Sequence, residues 1–130
     1  MQNIGLEQNA PPTGETAEWY GINQYFLYTI NPAWMGVVRV EWLRDDDGAR
    51  VAGPGNIPGV YAWDGRGFPG DFYEVTLGLN WRPNGNWLVR PEARWDWFDL
   101  DGPLGPTGLP FDGGNEDDQF TIGCDAILTF

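Results

Sequence analysis

The chain has 130 residues, enough for one domain. Its 19 acidic and 7 basic residues give a formal net charge of −12, which argues against nucleic acid as a partner because phosphates would be repelled. A single cysteine, Cys124, rules out an intrachain disulfide framework, and the lack of histidine removes the commonest metal ligand and general base.

The first eighteen residues, "MQNIGLEQNAPPTGETAE", read as a long loop. They have neither the basic start nor the apolar stretch of a signal peptide, so a leader would be removed or lie upstream. No apolar run approaches the roughly 18 residues a membrane helix needs. Helical periodicity is weak, Gly and Pro are dense, and alternation with a period of two recurs. About five strands are expected, near Trp19–Ile30, Trp34–Arg44, Phe72–Arg82, Trp87–Asp99 and Gln119–Phe130. "NPA" (31–33) and "PNGN" (83–86) read as tight turns. Residues 45–71 and 101–118 are long connections rich in Gly, Pro and Asp.

Sorting by parity gives each strand two unlike faces. In the first, Tyr20, Ile22, Phe26, Tyr28 and Ile30 share a side with Gln24. In the second, Trp34, Val38, Val40 and Trp42 oppose Arg39 and Glu41. Tyr73, Val75, Leu77, Leu79 and Trp81 oppose Glu74, Thr76, Asn80 and Arg82. Trp87, Val89, Ala93, Trp95 and Trp97 oppose Arg90, Glu92, Arg94 and Asp96. Last, Phe120, Ile122, Cys124, Ala126, Leu128 and Phe130 oppose Gln119, Thr121 and Asp125.

Aromatics stand at both ends of the apolar faces, with aliphatics between: Tyr20 and Tyr28, Trp34 and Trp42, Tyr73 and Trp81, Trp87 and Trp95. Each pair is eight residues apart, roughly 26 Å at ~3.3 Å per residue. A tilt of about 40° brings this to roughly 20 Å, close to the ~25 Å apolar band of an outer-membrane barrel. Tyr and Trp favour the membrane interface, where the ring is apolar and its polar group stays wet. The pattern therefore predicts an all-β, antiparallel, up-and-down transmembrane β-barrel, with the Trp face toward lipid and the charged face toward a water-filled lumen. The competing fold is a soluble β-sandwich such as a carbohydrate-binding module, whose apolar face would be core. Short and long connections alternate as in such barrels, which places 45–71, 101–118 and the first eighteen residues outside the cell.

Three stretches, "EWYGINQYFLYTIN" (18–31), "VRVEWLRDDDGARV" (38–51) and "FYEVTLGLNWRPNGNWLVRPEARWDWFD" (72–99), resemble the C-terminal part of outer-membrane β-barrel porins of the OmpL-like, planctomycete type. The ending "DDQFTIGCDAILTF" is similar to the way those chains finish. It also resembles the insertion signal read by the barrel-insertion machinery, here Phe120, Ile122, Ala126, Leu128 and Phe130. The resemblance implies a Gram-negative outer-membrane location and passive diffusion of ions or small solutes, with no reaction catalysed. About five strands cannot close a barrel. Upstream strands of the same chain, or further copies in a homo-oligomer, are expected to complete it.

The expected pore-lining charges are Arg39, Glu41, Glu74, Arg82, Arg90, Glu92, Arg94, Asp96 and Asp125. They would select ions, or pair across strands to keep the wall polar and rigid. A third reading is a structural outer-membrane protein with a plugged lumen. No cofactor is expected. Asp45, Asp46 and Asp47 are weak candidates for loop-bound Ca²⁺, and "DLDG" (99–102) and "NEDD" (115–118) add further loop carboxylates. The carboxylates of "WDWFDLD" suggest a glycosidase pair only weakly. Cys124 reads as a small hydrophobe, and Pro91 marks a candidate bulge in mid-strand.

Overall fold

A computed structural model describes residues 2–10, 15–48, 51, 67–102 and 108–130, with side chains from residue 16 onward. The strands are β1 (Gln2–Ala10), β2 (Glu15–Asn31), β3 (Trp34–Asp45), β4 (Gly70–Trp81), β5 (Trp87–Leu100) and β6 (Asp118–Leu128). They form one sheet in the order β1-β2-β3-β4-β5-β6, every neighbouring pair antiparallel. The fold is thus all-β and up-and-down. A sandwich needs two packed sheets, and the described residues build one.

The sheet has six strands and not about five, because the stretch expected to be a leading loop contains β1. Its sequence, QNIGLEQNA, has only Ile4 and Leu6 as large apolar residues, too little contrast to signal a strand. The partner strand supplies the missing information. Ile4 pairs with Tyr20 and Leu6 with Glu18, continuing a β2 that starts at Glu15, earlier than its alternation suggested. The expectation that the first eighteen residues form an outer loop is corrected accordingly.

Local chemistry sets the short connections. Asn31 Oδ1 accepts from the Ala33 amide at 2.9 Å, closing the turn between β2 and β3. Asn84 Oδ1 accepts from the Asn86 and Trp87 amides at 3.0 and 3.2 Å, closing the turn between β4 and β5. Both turns lie at one end of the sheet. At the other end β3 stops at Asp45, β4 starts at Gly70, β5 stops at Leu100 and β6 starts at Asp118, while 11–14, 49–50, 52–66 and 103–107 are outside the described residues. Among the described residues no helix is long and apolar enough to cross a membrane, which does not bear on strands.

Pro91 makes no bulge. It pairs with Cys124 in an unshifted register, Arg90↔Asp125 to Glu92↔Gly123. Toward β4 the ladder lapses between Gly78↔Glu92 and Trp81↔Val89, then resumes in the same register. A missing N–H interrupts hydrogen bonding without inserting a residue.

Candidate functional site

The sheet buries acids and exposes apolar side chains. Glu74 is 5% exposed and Asp96 6%, while Phe26 is 57% exposed and Ile122 75%. This inverts the usual ordering of a water-soluble protein, in which ionised side chains are almost never buried unless paired.

On the polar face the register lines up Glu41, Glu74, Asp96 and Gln119 in one row, and Arg39, Thr76, Arg94 and Thr121 in the next. Three carboxylates side by side repel one another. The arginines of the adjacent row offset that repulsion. Arg39 Nε donates to Glu74 Oε1 at 2.8 Å and lies 3.4 Å from Glu41. Arg94 Nη2 reaches Glu74 Oε2 at 3.0 Å, and its Nε and Nη2 bind Asp96 at 2.9 and 2.6 Å. Thr76 Oγ1 donates to Glu74 at 2.6 Å, and Gln119 Nε2 to Asp96 at 3.2 Å. No buried side-chain N or O among the described residues lacks a partner. The network closes because the acids and arginines occupy alternating rows across three strands.

Further along this face Glu92 stands between Gly78 and Gly123, and Arg90 donates to its cross-strand partner Asp125 from Nε at 2.8 Å. Arg82 lies just past β4, where its backbone N donates to Ala33 O at 2.8 Å. So eight of the nine expected lining charges sit on strands of this face, and Arg82 sits at the turn. At the opposite end Leu43, Phe72 and Phe98 form an apolar row on the same polar face. Phe68, 1% exposed, packs edge-on against Phe98 at 5.9 Å, so the end of the long β3–β4 connection folds onto this face. Sequence reading missed this cluster, although Phe72 and Phe98 do carry the parity of the charged residues.

The other face presents the aromatics. Trp42, Tyr73 and Trp97 lie in one row, with Tyr73 stacked on Trp97 at 5.3 Å and Tyr20 edge-on to Trp42 at 5.5 Å. Trp34 stacks on Trp81 at 5.4 Å near the other end. Between these rows lie Phe26, Val38, Leu77, Ala93 and Ile122. Trp97, left out of the spaced pairs, completes the Trp42 row, and Trp95 sits one row further in, between Val75 and Phe120. Tyr28 pairs with Gly36, Trp87 with Leu128, and Phe130 lies beyond the end of β6. Cys124 lies on this face opposite Pro91.

Carboxylates satisfy two indole N–H groups of this face. Trp42 Nε1 donates to Asp71 at 2.7 Å and Trp95 Nε1 to Asp118 at 2.9 Å. Arg44, also unforeseen, binds Asp46 at 2.6 Å and Asp71 at 2.7 Å, and pairs with Asp101, tying together the ends of β3, β4 and β5. The acidic run that follows it in "RDDDG" was the available signal.

The Ca²⁺ candidates do not converge. Asp45 accepts from the Val51 amide at 3.1 Å, Asp46 from Arg44 Nε at 2.6 Å, and Asp47 from the Glu18 amide at 2.8 Å. Glu116, Asp117 and Asp118 bring ligand atoms within 4.8 Å of one another, but all three are exposed.

The family model described as "Putative beta-barrel porin-2, OmpL-like" matches residues 2–130. No curated protein and no solved structure matches the chain.

Proposed function

Because the chain belongs to this OmpL-like β-barrel porin family, we propose that its sheet forms part of the wall of a water-filled pore, through which ions and small solutes diffuse passively across a bacterial outer membrane. The observation that carries this reading is the inversion of burial. Paired acids such as Glu74 are shielded on one face, and Trp, Phe, Ile and Leu are exposed on the other. The aromatic rows then sit at the two membrane interfaces with aliphatics between, and outer-membrane lipid is the partner of that face. The nine charges from Arg39 to Asp125 line the lumen, and the protein catalyses nothing.

An edge in lipid leaves backbone groups unpaired at several kcal/mol each, and β1 and β6 are both edges here. Closure therefore uses further strands, from the same protein or from other copies. A meander of six strands ends antiparallel to its beginning, so its two edges can accept additional antiparallel strands without breaking the even count of bacterial barrels. The alternating residues of β6, with Phe130 after them, are the segment we assign to the insertion machinery.

The cluster of Phe68, Phe72 and Phe98 favours a second reading, a structural barrel plugged at that mouth. Planar-bilayer recording separates the readings. Steady, stepwise conductance from detergent-refolded protein is expected. A plugged barrel gives none, and a chain that stays monomeric without detergent, its tryptophans buried, would sink the membrane reading altogether.

A further inference from the structure

We propose that the polar face carries a binding site for a neutral, polyhydroxylated solute of sugar size. The site is a depression of about 600 Å³, with Tyr25 and Arg39 at one end and Arg90 and Asp125 at the other. That volume falls within the roughly 300–1,000 Å³ of small-molecule sites. The inference rests on the pore reading, since a wetted polar face is what brings such a solute to the site.

Gly78 supplies the space. A Cβ built there would meet nothing nearer than Val37 Cβ at 3.7 Å, so packing does not require glycine at this position. A glycine inside a strand weakens it, and often marks a place where a ligand approaches closely. Gly21 is the contrast: a Cβ there would lie 2.8 Å from Trp42 O, so packing alone accounts for it.

The chemistry around the space is amphipathic and largely neutralised. Arg90 is met by Asp125 and Arg39 by Glu74, each with an Nε–O distance of 2.8 Å. Arg39 Nη1 also points at the Tyr25 hydroxyl, 3.5 Å away. The guanidinium groups therefore offer directed donors with little net field, and Glu92 and Asn80 offer acceptors. Tyr25 is 50% exposed and offers an aromatic surface beside the charged rows, with Leu27 and Val37 next to it. A sugar has complementary parts: C–H faces for the ring and aliphatic shelf, and hydroxyls for the donors and acceptors around it. An inorganic anion would gain little, because the charge of each arginine is already offset by a carboxylate.

The test is calorimetric titration of the refolded chain in detergent micelles with a glucose disaccharide. Saturable binding is expected, weakened about threefold to tenfold by Tyr25→Ala and lost in Gly78→Leu, whose side chain would fill the space. Binding that neither substitution changes, or tighter binding of inorganic phosphate than of the sugar, would overturn the site. Because the readout needs no membrane, saturable binding without conductance supports the site while removing the pore reading. Conductance without saturable binding removes the site alone.

Discussion

Arg39 on β3 reaches Glu74 on β4 not from the directly opposed position but from the neighbouring row: Nε to Oε1 is 2.8 Å, although Arg39 pairs with Thr76 and Glu74 with Glu41. The diagonal lets one arginine serve carboxylates on both strands, and Arg94 repeats the device from β5. The buried acid row is stable only because the arginine row lies beside it. Without it, neighbouring carboxylates would repel one another with nothing to offset the repulsion.

Removing the shared acid is therefore the sharpest stability test. Glu74→Gln leaves Arg39 and Arg94 short of a charge partner and is expected to cost ~2 kcal/mol, in line with hydrogen bonds to charged groups. The double change Glu74→Gln with Arg39→Met is expected to recover part of the loss, since removing both charges is better tolerated than orphaning one. Urea unfolding in detergent measures both. Additive losses in the double variant would show that the two residues act independently.

The pair Arg90–Asp125 looks similar on paper but sits half-exposed. Exposed pairs contribute little. Arg90→Gln is accordingly expected to leave the unfolding midpoint unchanged within error. A clear fall would mean that this pair is shielded from solvent when the pore is complete.

Parity alone placed five strands and assigned each residue a face, because a period of two survives without any knowledge of partners. It did not reveal β1, whose polar sequence becomes a strand only through pairing with β2. Nor could it show which face the connections turn toward. Phe68 folds onto the polar face next to Phe98, a long-range contact with no local signature. The charges of the polar face were legible one by one. Their diagonal pairing was not, since it depends on the β3–β4 register across a long connection. Pro91 illustrates the same limit: the residue predicts a lost donor, and only the register shows that no residue was inserted.

Two glycines that look alike in sequence should respond oppositely to alanine. Gly21→Ala drives a Cβ against Trp42 O and is expected to cost ~1–3 kcal/mol, the range for overpacking. Gly78→Ala meets only ordinary contacts and is expected to gain ~0.5 kcal/mol by removing backbone freedom from the unfolded chain. The same urea curves compare them. Equal effects would show that the β2–β3 approach relaxes readily.

Orientation is open to proteases. If the long connections face outward, protease added to intact cells cuts within 46–69 or 101–117 and spares the turn at 82–86. Mass spectrometry of the released fragments reads the outcome, and cleavage confined to 82–86 would show the reverse orientation.

Ion selectivity follows from where charge is left over. The nine residues proposed to line the pore hold four arginines and five acids, a balance of 4 − 5 = −1. Most of these charges are paired in the network, so the middle of the wall exerts little net field. Unpaired carboxylate density gathers instead at the end with the long connections, where Glu116, Asp117 and Asp118 are exposed together. Such a mouth concentrates cations over a range screened to about 10 Å at ~0.1 M salt. The expected result is a mild cation preference under a KCl gradient that fades as salt rises. Neutralising the mouth with Glu116→Gln and Asp117→Asn should reduce it, while Arg82→Gln at the opposite turn should increase it slightly. Reversal potentials measure all three proteins. An anion preference that persists at low salt would mean that Arg82 and Arg90, and not the outer carboxylates, govern permeation.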